Sequence, residues 1–142
     1  MLLIILFIGF IFPTINIVGE FSQSYQIEDK VFDTLILPDI VFSKDEDNDR
    51  RFQYGHKFDV NYGIKNSGTW TGLDNGDMIW RLGIKSEDAY AIKLQFDQFY
   101  IPEGSALIIY NEFKDIVYGP YTSNDNTSSK TFGAPLIGGE IL

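Results

Sequence analysis

Apolar and polar residues alternate along three stretches of the chain, residues 56–62, 78–85 and 90–97. The third is the clearest, and its predicted apolar face consists of Tyr90, Ile92, Leu94 and Phe96. The other two predict inward faces made of Met78, Trp80, Leu82 and Ile84, and of Phe58, Val60 and Tyr62. A period of two is typical of strands with one buried and one solvated face. The residues expected on the solvated face of the second stretch are therefore Arg81, Gly83 and Lys85.

Turn-forming residues separate these stretches. Asn75-Gly76 predicts a tight hairpin turn of the primed type, since both residues tolerate a positive φ. Pro102-Glu103-Gly104 predicts a turn in which proline presets φ and glycine takes the left-handed step. Residues 106–110 and 115–118 are expected to form a further hairpin, which residues 111–115 close.

Strands and turns together predict an all-β fold for residues 51–142. About six short strands, each with one wet face, favour an antiparallel β-sandwich or a jelly-roll-like domain. No convincing helix follows residue 19. The large apolar side chains that alternate inward are numerous enough for the core of a small domain.

The first 19 residues read as a signal peptide. Residues 2–12 form the apolar run LLIILFIGFIF, which Pro13 ends and which is shorter than the roughly 20 residues that a spanning helix needs. Gly19 before Glu20 is a candidate cleavage point. No Lys or Arg precedes the run, and one explanation is that the true start lies upstream. A lipid-facing anchor and a buried core helix are the alternatives. Export is preferred, and it predicts a secreted protein.

Residues 20–50 are predicted to be an extended arm followed by an acidic linker. Apolar anchors at 31–32 and 35–37 suit an arm that lies against the domain. Residues 43–51 (SKDEDNDRR) form a charged run whose alternating acids resemble a calcium loop: Asp45, Asp47 and Asp49. An EF-hand needs Gly at its sixth position and Glu at its twelfth, where this chain has Arg50 and His56. We therefore interpret the run as a solvated linker.

The composition narrows the functional classes. The 142 residues carry 11 basic and 20 acidic side chains, a net charge of −9, which argues against a nucleic-acid partner. The chain has no cysteine and one histidine, which excludes disulfides, thiol nucleophiles and multi-histidine metal sites.

No catalytic constellation stands out among the polar residues. His56 lacks an obvious triad, and Ser67 lies near a glycine but outside a G-x-S-x-G elbow. A hard cation such as calcium would suit three carboxylates, Asp97, Glu103 and Asp125, but a strand cap and solvated turns explain them better. No cofactor is therefore predicted, with calcium left open.

Aromatic side chains offer a possible binding surface for glycan. Trp80 is in phase with its apolar neighbours and is expected in the core, whereas Trp70 and Tyr100 are the candidates for exposure. Asn126-Thr127-Ser128 matches an N-glycosylation acceptor, a short motif that occurs often by chance.

Several short sequence blocks, which follow one another along the chain in the expected order, resemble the N-terminal region of secreted bacterial trypsin-like serine endopeptidases of the lysyl endopeptidase-like group. The blocks lie between residues 51 and 142 and read RFQYG, NSGTW, NGDMIWRLGIKS, LQFDQFYIPEG, LIIYN and GPYTSN. In that family this region precedes the peptidase domain and is a non-catalytic leader or propeptide.

The resemblance implies a binding role and no catalytic residue. The family's catalytic His, Asp and Ser lie further downstream and match no position here, so the chain is expected to be a fragment of a protease precursor. Its implied partner is its own C-terminal peptidase domain, besides the export machinery. The alternative is a secreted or cell-surface module that binds glycan or matrix protein, and an independent hydrolase is disfavoured.

Overall fold

The structure is a computed structural model that describes residues 31–39 and 55–142. These residues are rich in strands, and their helical content is a single 3₁₀ turn, Ser123–Asp125. The ten short strands, in chain order, are β1 Thr34–Ile36, β2 Thr69–Gly72, β3 Met78–Arg81, β4 Gly83–Lys85, β5 Ala91–Ile92, β6 Gln95–Phe96, β7 Leu107–Tyr110, β8 Val117–Tyr121, β9 Phe132–Gly133 and β10 Ile137–Gly138. The all-β class is therefore confirmed.

Strand β4 is hydrogen-bonded along both of its edges. On one edge it pairs in parallel with β1, through Gly83 N to Asp33 O and Leu37 N to Lys85 O, both 2.8 Å. On the other edge it runs antiparallel to residues 140–142, where Ile84 and Leu142 exchange bonds of 2.9 and 3.0 Å. Three distant parts of the chain thus meet on one three-residue strand.

A second unit is an antiparallel ribbon built from β5 and β6 on one side and β9 and β10 on the other. Ile92 faces Ile137 and Phe96 faces Phe132, so the register shifts by one residue between the two pairs. The extra residue falls around Pro135, which lacks the N–H that a regular ladder would use. The predicted strand at 90–97 is therefore present as two short strands that share one partner.

Two hairpins complete the strand pairing. β2 pairs with β3, and β7 pairs with β8 as the sequence predicts. The β2–β3 turn is not the predicted primed type, because Gly76 N donates to Leu73 O and only Gly76, at φ +91°, is left-handed. This is a three-residue loop with a glycine bulge. Gly104, at φ +78°, takes the predicted left-handed step.

The core contains most of the residues that alternate inward. Ile92, Leu94 and Phe96 are buried, as are Trp80, Leu82 and Ile84, so these predictions are confirmed. The remaining members of the main cluster are Leu37, Phe99, Ile101, Leu107, Ile109, Ala134, Ile137 and Leu142. Side chains from β4 and from both of its neighbours thus contribute to one apolar interior.

Four aromatic rings close one end of this interior. Phe99 stacks on Phe132 with ring centroids 4.5 Å apart, and Phe96 and Tyr121 contact Phe132 at an angle. Burial raises the pKa of the Tyr121 phenol, and the negative charge of Asp125 adds to the increase. Such stacked and edge-to-face pairs strengthen an aromatic core beyond the area they bury.

Several residues that were predicted to lie on the buried face of a strand do not do so. Tyr90 is 98% exposed, because it precedes β5 and the alternation begins only at Ala91–Ile92. Met78 is also exposed at the start of β3. Residues 56–62 form no strand, although Phe58 and Tyr62 pack against the core as the alternation predicts.

The expected solvated face of residues 78–85 is also corrected. Arg81 and Gly83 are buried, because the arm that contains β1 covers this side of β3 and β4. A Cβ on Gly83 would lie 2.6 Å from Thr34 Oγ1, so the close approach of β1 requires glycine. A long-range contact of this kind leaves no alternation signal in the sequence.

Gly68 fixes the segment before β2 against the core. Its φ is +79°, and an added Cβ would lie 2.5 Å from Trp80 Nε1 and 2.7 Å from the carbonyl oxygen of Arg81. Beside it, Trp80 Nε1 donates a 2.7 Å hydrogen bond to Ser67 O. The buried indole is therefore satisfied only while this segment stays in place.

We expect Gly68→Ala to lower the free energy of unfolding more than Gly76→Ala does. Gly76 has a similar φ but open space around its Cα, so its alanine variant reports backbone strain alone, about 1–2 kcal/mol. The clash with Trp80 should add roughly 1–3 kcal/mol at Gly68. Urea denaturation of both variants measures the difference, and equal losses would contradict the packing described for Gly68.

Candidate binding surface

One side of the domain combines an open strand edge, a polar groove and a buried cation. We call it the arm side and define it by residues 31–37, the loop 61–68, and strands β2 and β3. Thr69 Oγ1 accepts a 3.1 Å hydrogen bond from Asp33 N, which joins the arm to β2. The burial of Leu37 in the core anchors the arm's other end.

The open edge belongs to β1. Because Asp33 and Leu37 bond to β4, the backbone groups of Thr34 and Ile36 point away from that ladder. Among the described residues, β1 pairs with β4 and with no second strand. The Ile36 side chain is 70% exposed beside this edge, and Val31 is exposed as well. An unpaired edge with apolar side chains is a template for the addition of a strand.

The groove lies between the arm and the loop 61–68 and encloses about 430 Å³. Its lining residues are Asp33, Thr34, Leu35, Asn61, Tyr62, Asn66, Ser67 and Gly68. Asn66 shapes the loop, since its Oδ1 accepts from Gly63 N at 2.8 Å and its Nδ2 donates to Asn61 O at 2.9 Å. Most of the lining residues are therefore polar, while Leu35 and Tyr62 add apolar surface.

Arg81 lies beneath the arm with few polar partners. Its side chain is 4% exposed, and its guanidinium carbon lies 5.2 Å from the centroid of the Phe32 ring. Nη2 donates one long hydrogen bond of 3.5 Å to Thr71 Oγ1, and Nε has no partner. This burial was not predictable from the alternation, because arginine in an alternating strand ordinarily marks the solvated face.

Trp70 and Tyr100, the predicted binding residues, are both exposed but do not form one platform. Trp70 is 39% exposed and its Nε1 donates to Ile64 O at 3.2 Å, which places it beside the loop 61–68. Tyr100 precedes the turn at 102–105, and neither ring stacks on another in the described residues. Trp80 is fully buried, as predicted.

His56 and Ser67 have no catalytic arrangement around them. His56 is exposed and contacts the ring of Phe58 at 4.7 Å. The Ser67 hydroxyl donates to Asn66 Oδ1 at 3.0 Å, so it is held by an amide rather than by a base. A serine nucleophile needs a general base within hydrogen-bond distance.

The three carboxylates considered for calcium are used separately. Asp97 and Glu103 are exposed, and Asp125 Oδ2 accepts a 2.7 Å hydrogen bond from Thr122 N in a capping box. Across residues 31–39 and 55–142 no group of three His, Asp or Glu side chains is arranged to hold a metal ion. The acidic run with Asp45 lies outside the described residues.

Asn126, the predicted glycosylation acceptor, is tied to the backbone of Ile101. Its Oδ1 accepts from Ile101 N and its Nδ2 donates to Ile101 O, both at 2.8 Å. The amide thus fastens the 3₁₀ turn to the segment after Phe99 and is part-buried. The geometry favours a structural role over a sugar attachment.

The predicted signal peptide, residues 1–19, lies outside the described residues, as does most of the arm and linker. Within the part of the chain that is described, no helix has the length and apolar character to cross a bilayer.

Comparison with known proteins adds no family. No family model matches the chain, and no solved structure matches it. The resemblance to the lysyl endopeptidase-like group therefore rests on the sequence blocks alone.

Substitution of Gly83 should loosen the arm. We expect Gly83→Ala to speed hydrogen exchange at Leu37 N, which bonds to Lys85 O, by about tenfold, equivalent to about 1.4 kcal/mol. Gly72→Ala is the matched control, because its Cβ would meet only Met78 Sδ at an ordinary 3.6 Å. Unchanged exchange at Leu37 in Gly83→Ala would show that the arm does not depend on this close approach.

Loss of the Asn126 amide should destabilise the domain. Asn126→Ala leaves the N–H and C=O of Ile101 without their partners, a loss of about 1–3 kcal/mol. Asn124→Ala, at an exposed position two residues earlier, should change the free energy of unfolding by less than about 0.5 kcal/mol. Thermal or urea unfolding compares the two, and similar values would contradict the structural role of Asn126.

Proposed function

We propose that this chain is the non-catalytic, propeptide-like N-terminal part of a secreted trypsin-like serine endopeptidase precursor and that it acts by binding its own peptidase domain. The observation that carries the proposal is the open edge of β1 with its exposed Ile36. Strand addition at such an edge supplies backbone hydrogen bonds, and side chains on alternate residues supply specificity.

Two further features of the chain support a binding role. The net charge of −9 would speed docking onto a basic surface, as electrostatic complementarity raises association rates. The sequence blocks that resemble the N-terminal region of the lysyl endopeptidase-like group favour a leader that inhibits or assists a separate enzyme.

Part of the arm has a role within the domain as well. The apolar anchors at 31–32 and 35–37 predicted an arm that lies against the domain. Since β1 already pairs with β4, we now propose that the arm offers its second edge to the peptidase while it stays on the domain.

We also propose that the short strand pairs stack as two facing layers, in a β-sandwich or jelly-roll-like arrangement.

A secreted or cell-surface module that binds glycan is the second candidate. The groove favours it, because the side chains of Asp33, Asn61 and Tyr62 line it together. An acid, an amide and an aromatic face suit a hydroxyl-rich ligand. On this view Tyr62, rather than a pair of Trp70 and Tyr100, provides the stacking surface.

The peptidase proposal is tested by a binding measurement with an edge variant. The genomic sequence after residue 142 should continue into a peptidase reading frame, and that peptidase should bind the purified chain in calorimetry. Ile36→Asp should weaken the affinity about tenfold or more, as the loss of an apolar anchor does. Leu136→Asp is the matched control, since Leu136 is 62% exposed on the β9–β10 side.

The outcomes separate the two candidates. Absence of a peptidase frame, or no association and no inhibition of the peptidase, would remove the propeptide proposal. Equal loss of affinity in Ile36→Asp and Leu136→Asp would remove the role of the β1 edge. Signals on a glycan array that vanish in Tyr62→Ala would favour the glycan module.

A further inference from the structure

Arg81 has the side chain whose surroundings least match its chemistry. A guanidinium is always charged and offers five N–H donors, and such groups are rarely buried unless they are paired. Arg81 is 96% buried, which follows from its 4% exposure. In the described residues it makes one long hydrogen bond, to Thr71, and no ion pair with a carboxylate.

The lack of polar partners for Arg81 is clearest at its Nε atom. Within the described part of the chain it is buried without a hydrogen-bond partner, although most buried polar atoms in folded proteins have one. Removal of a charged donor from water without compensation is strongly unfavourable. A carboxylate that binds Nε and Nη2 together would satisfy this atom and replace the long bond to Thr71.

The groups around Arg81 suit a ligand with a single negative charge. Phe32 lies over the guanidinium, and Thr69 and Thr71 present hydroxyls from the neighbouring strand β2. Phe32 is itself only partly buried, so the ring that lies over the guanidinium reaches the surface of the domain. The apolar ring lowers the local dielectric, which strengthens an ion pair formed beneath it.

We propose that Arg81 is the binding site for a carboxylate group that enters beneath Phe32. A planar carboxylate matches the two parallel N–H groups on one side of a guanidinium. A phosphate or sulfate dianion fits less well, because Arg81 is a single cation in a chain of net charge −9. This inference is independent of the proposed function, since a peptidase, a peptide or a small organic acid can each supply a carboxylate.

The direct test follows the Arg81 Nε–H signal by NMR. The purified chain is titrated with sodium acetate, with sodium chloride at matched ionic strength as the reference. We expect a saturable shift of the Arg81 Nε–H signal and a rise of several degrees in the unfolding midpoint with acetate only. A signal that acetate and chloride affect equally would overturn the proposal without any variant.

Substitution of Arg81 supplies the second test. Arg81→Met removes an unpaired buried charge and fills similar space, so we expect its unfolding midpoint in chloride to exceed that of the unaltered chain. The acetate-dependent rise should disappear in this variant. Lys85→Met, which removes a partly exposed cation from β4, should keep that rise. An acetate-dependent rise that persists in Arg81→Met would overturn the site.

Two further probes define the class and the source of the ligand. Sodium sulfate that shifts the Nε–H signal at lower concentration than acetate would overturn the assignment to a carboxylate. A tripeptide with a free C-terminal carboxylate is compared with its amide. If the tripeptide acid binds more tightly than acetate, the proposal is supported with a peptide terminus as the source of the carboxylate. If the tripeptide acid and acetate bind equally well, the proposal is supported with a small organic acid as the source.

Discussion

The backbone hydrogen bonds on the two edges of β4 are the interaction on which the rest of the structure depends. Its alternate residues bond to β1 on one side and to residues 140–142 on the other. Ile84, at the centre of β4, and Leu37 and Leu142 beside it are all buried in one apolar cluster. Each ladder therefore holds a distant part of the chain over the core, where Leu37 and Leu142 are buried.

The features relevant to binding lie together because the arm brings them there. Residues 31–37 supply the open edge, one wall of the groove and the ring over Arg81. All three depend on the approach of β1 to Gly83, which a side chain at that position would prevent. The proposed binding role would thus depend on the position of this short segment against β4.

Local alternation made much of the core predictable. Ile92, Leu94 and Phe96 are buried because the strands they belong to have one face toward the interior, and Trp80 follows the same rule. The β7–β8 hairpin was predictable because its turn residues lie between two apolar runs. Fold class needs only this local information.

The arm side was much less predictable. The pairing of Thr34–Ile36 with Gly83–Lys85 joins residues far apart in sequence, and nothing in either segment specifies the other. Arg81 therefore looked solvated, and the groove between the arm and residues 61–68 had no signal at all. The prediction that Tyr90 is buried was wrong for the opposite reason. The alternation in the sequence includes Tyr90, but β5 begins one residue later, at Ala91.

The order in which β4 acquires its neighbours has a consequence for biogenesis. Residues 140–142 leave the ribosome long after β4, so one edge of that strand stays bare throughout synthesis of the chain between them. The core that Leu142 helps to cover cannot close earlier. We therefore expect the core around β4 to close late in synthesis, once residue 142 has been added.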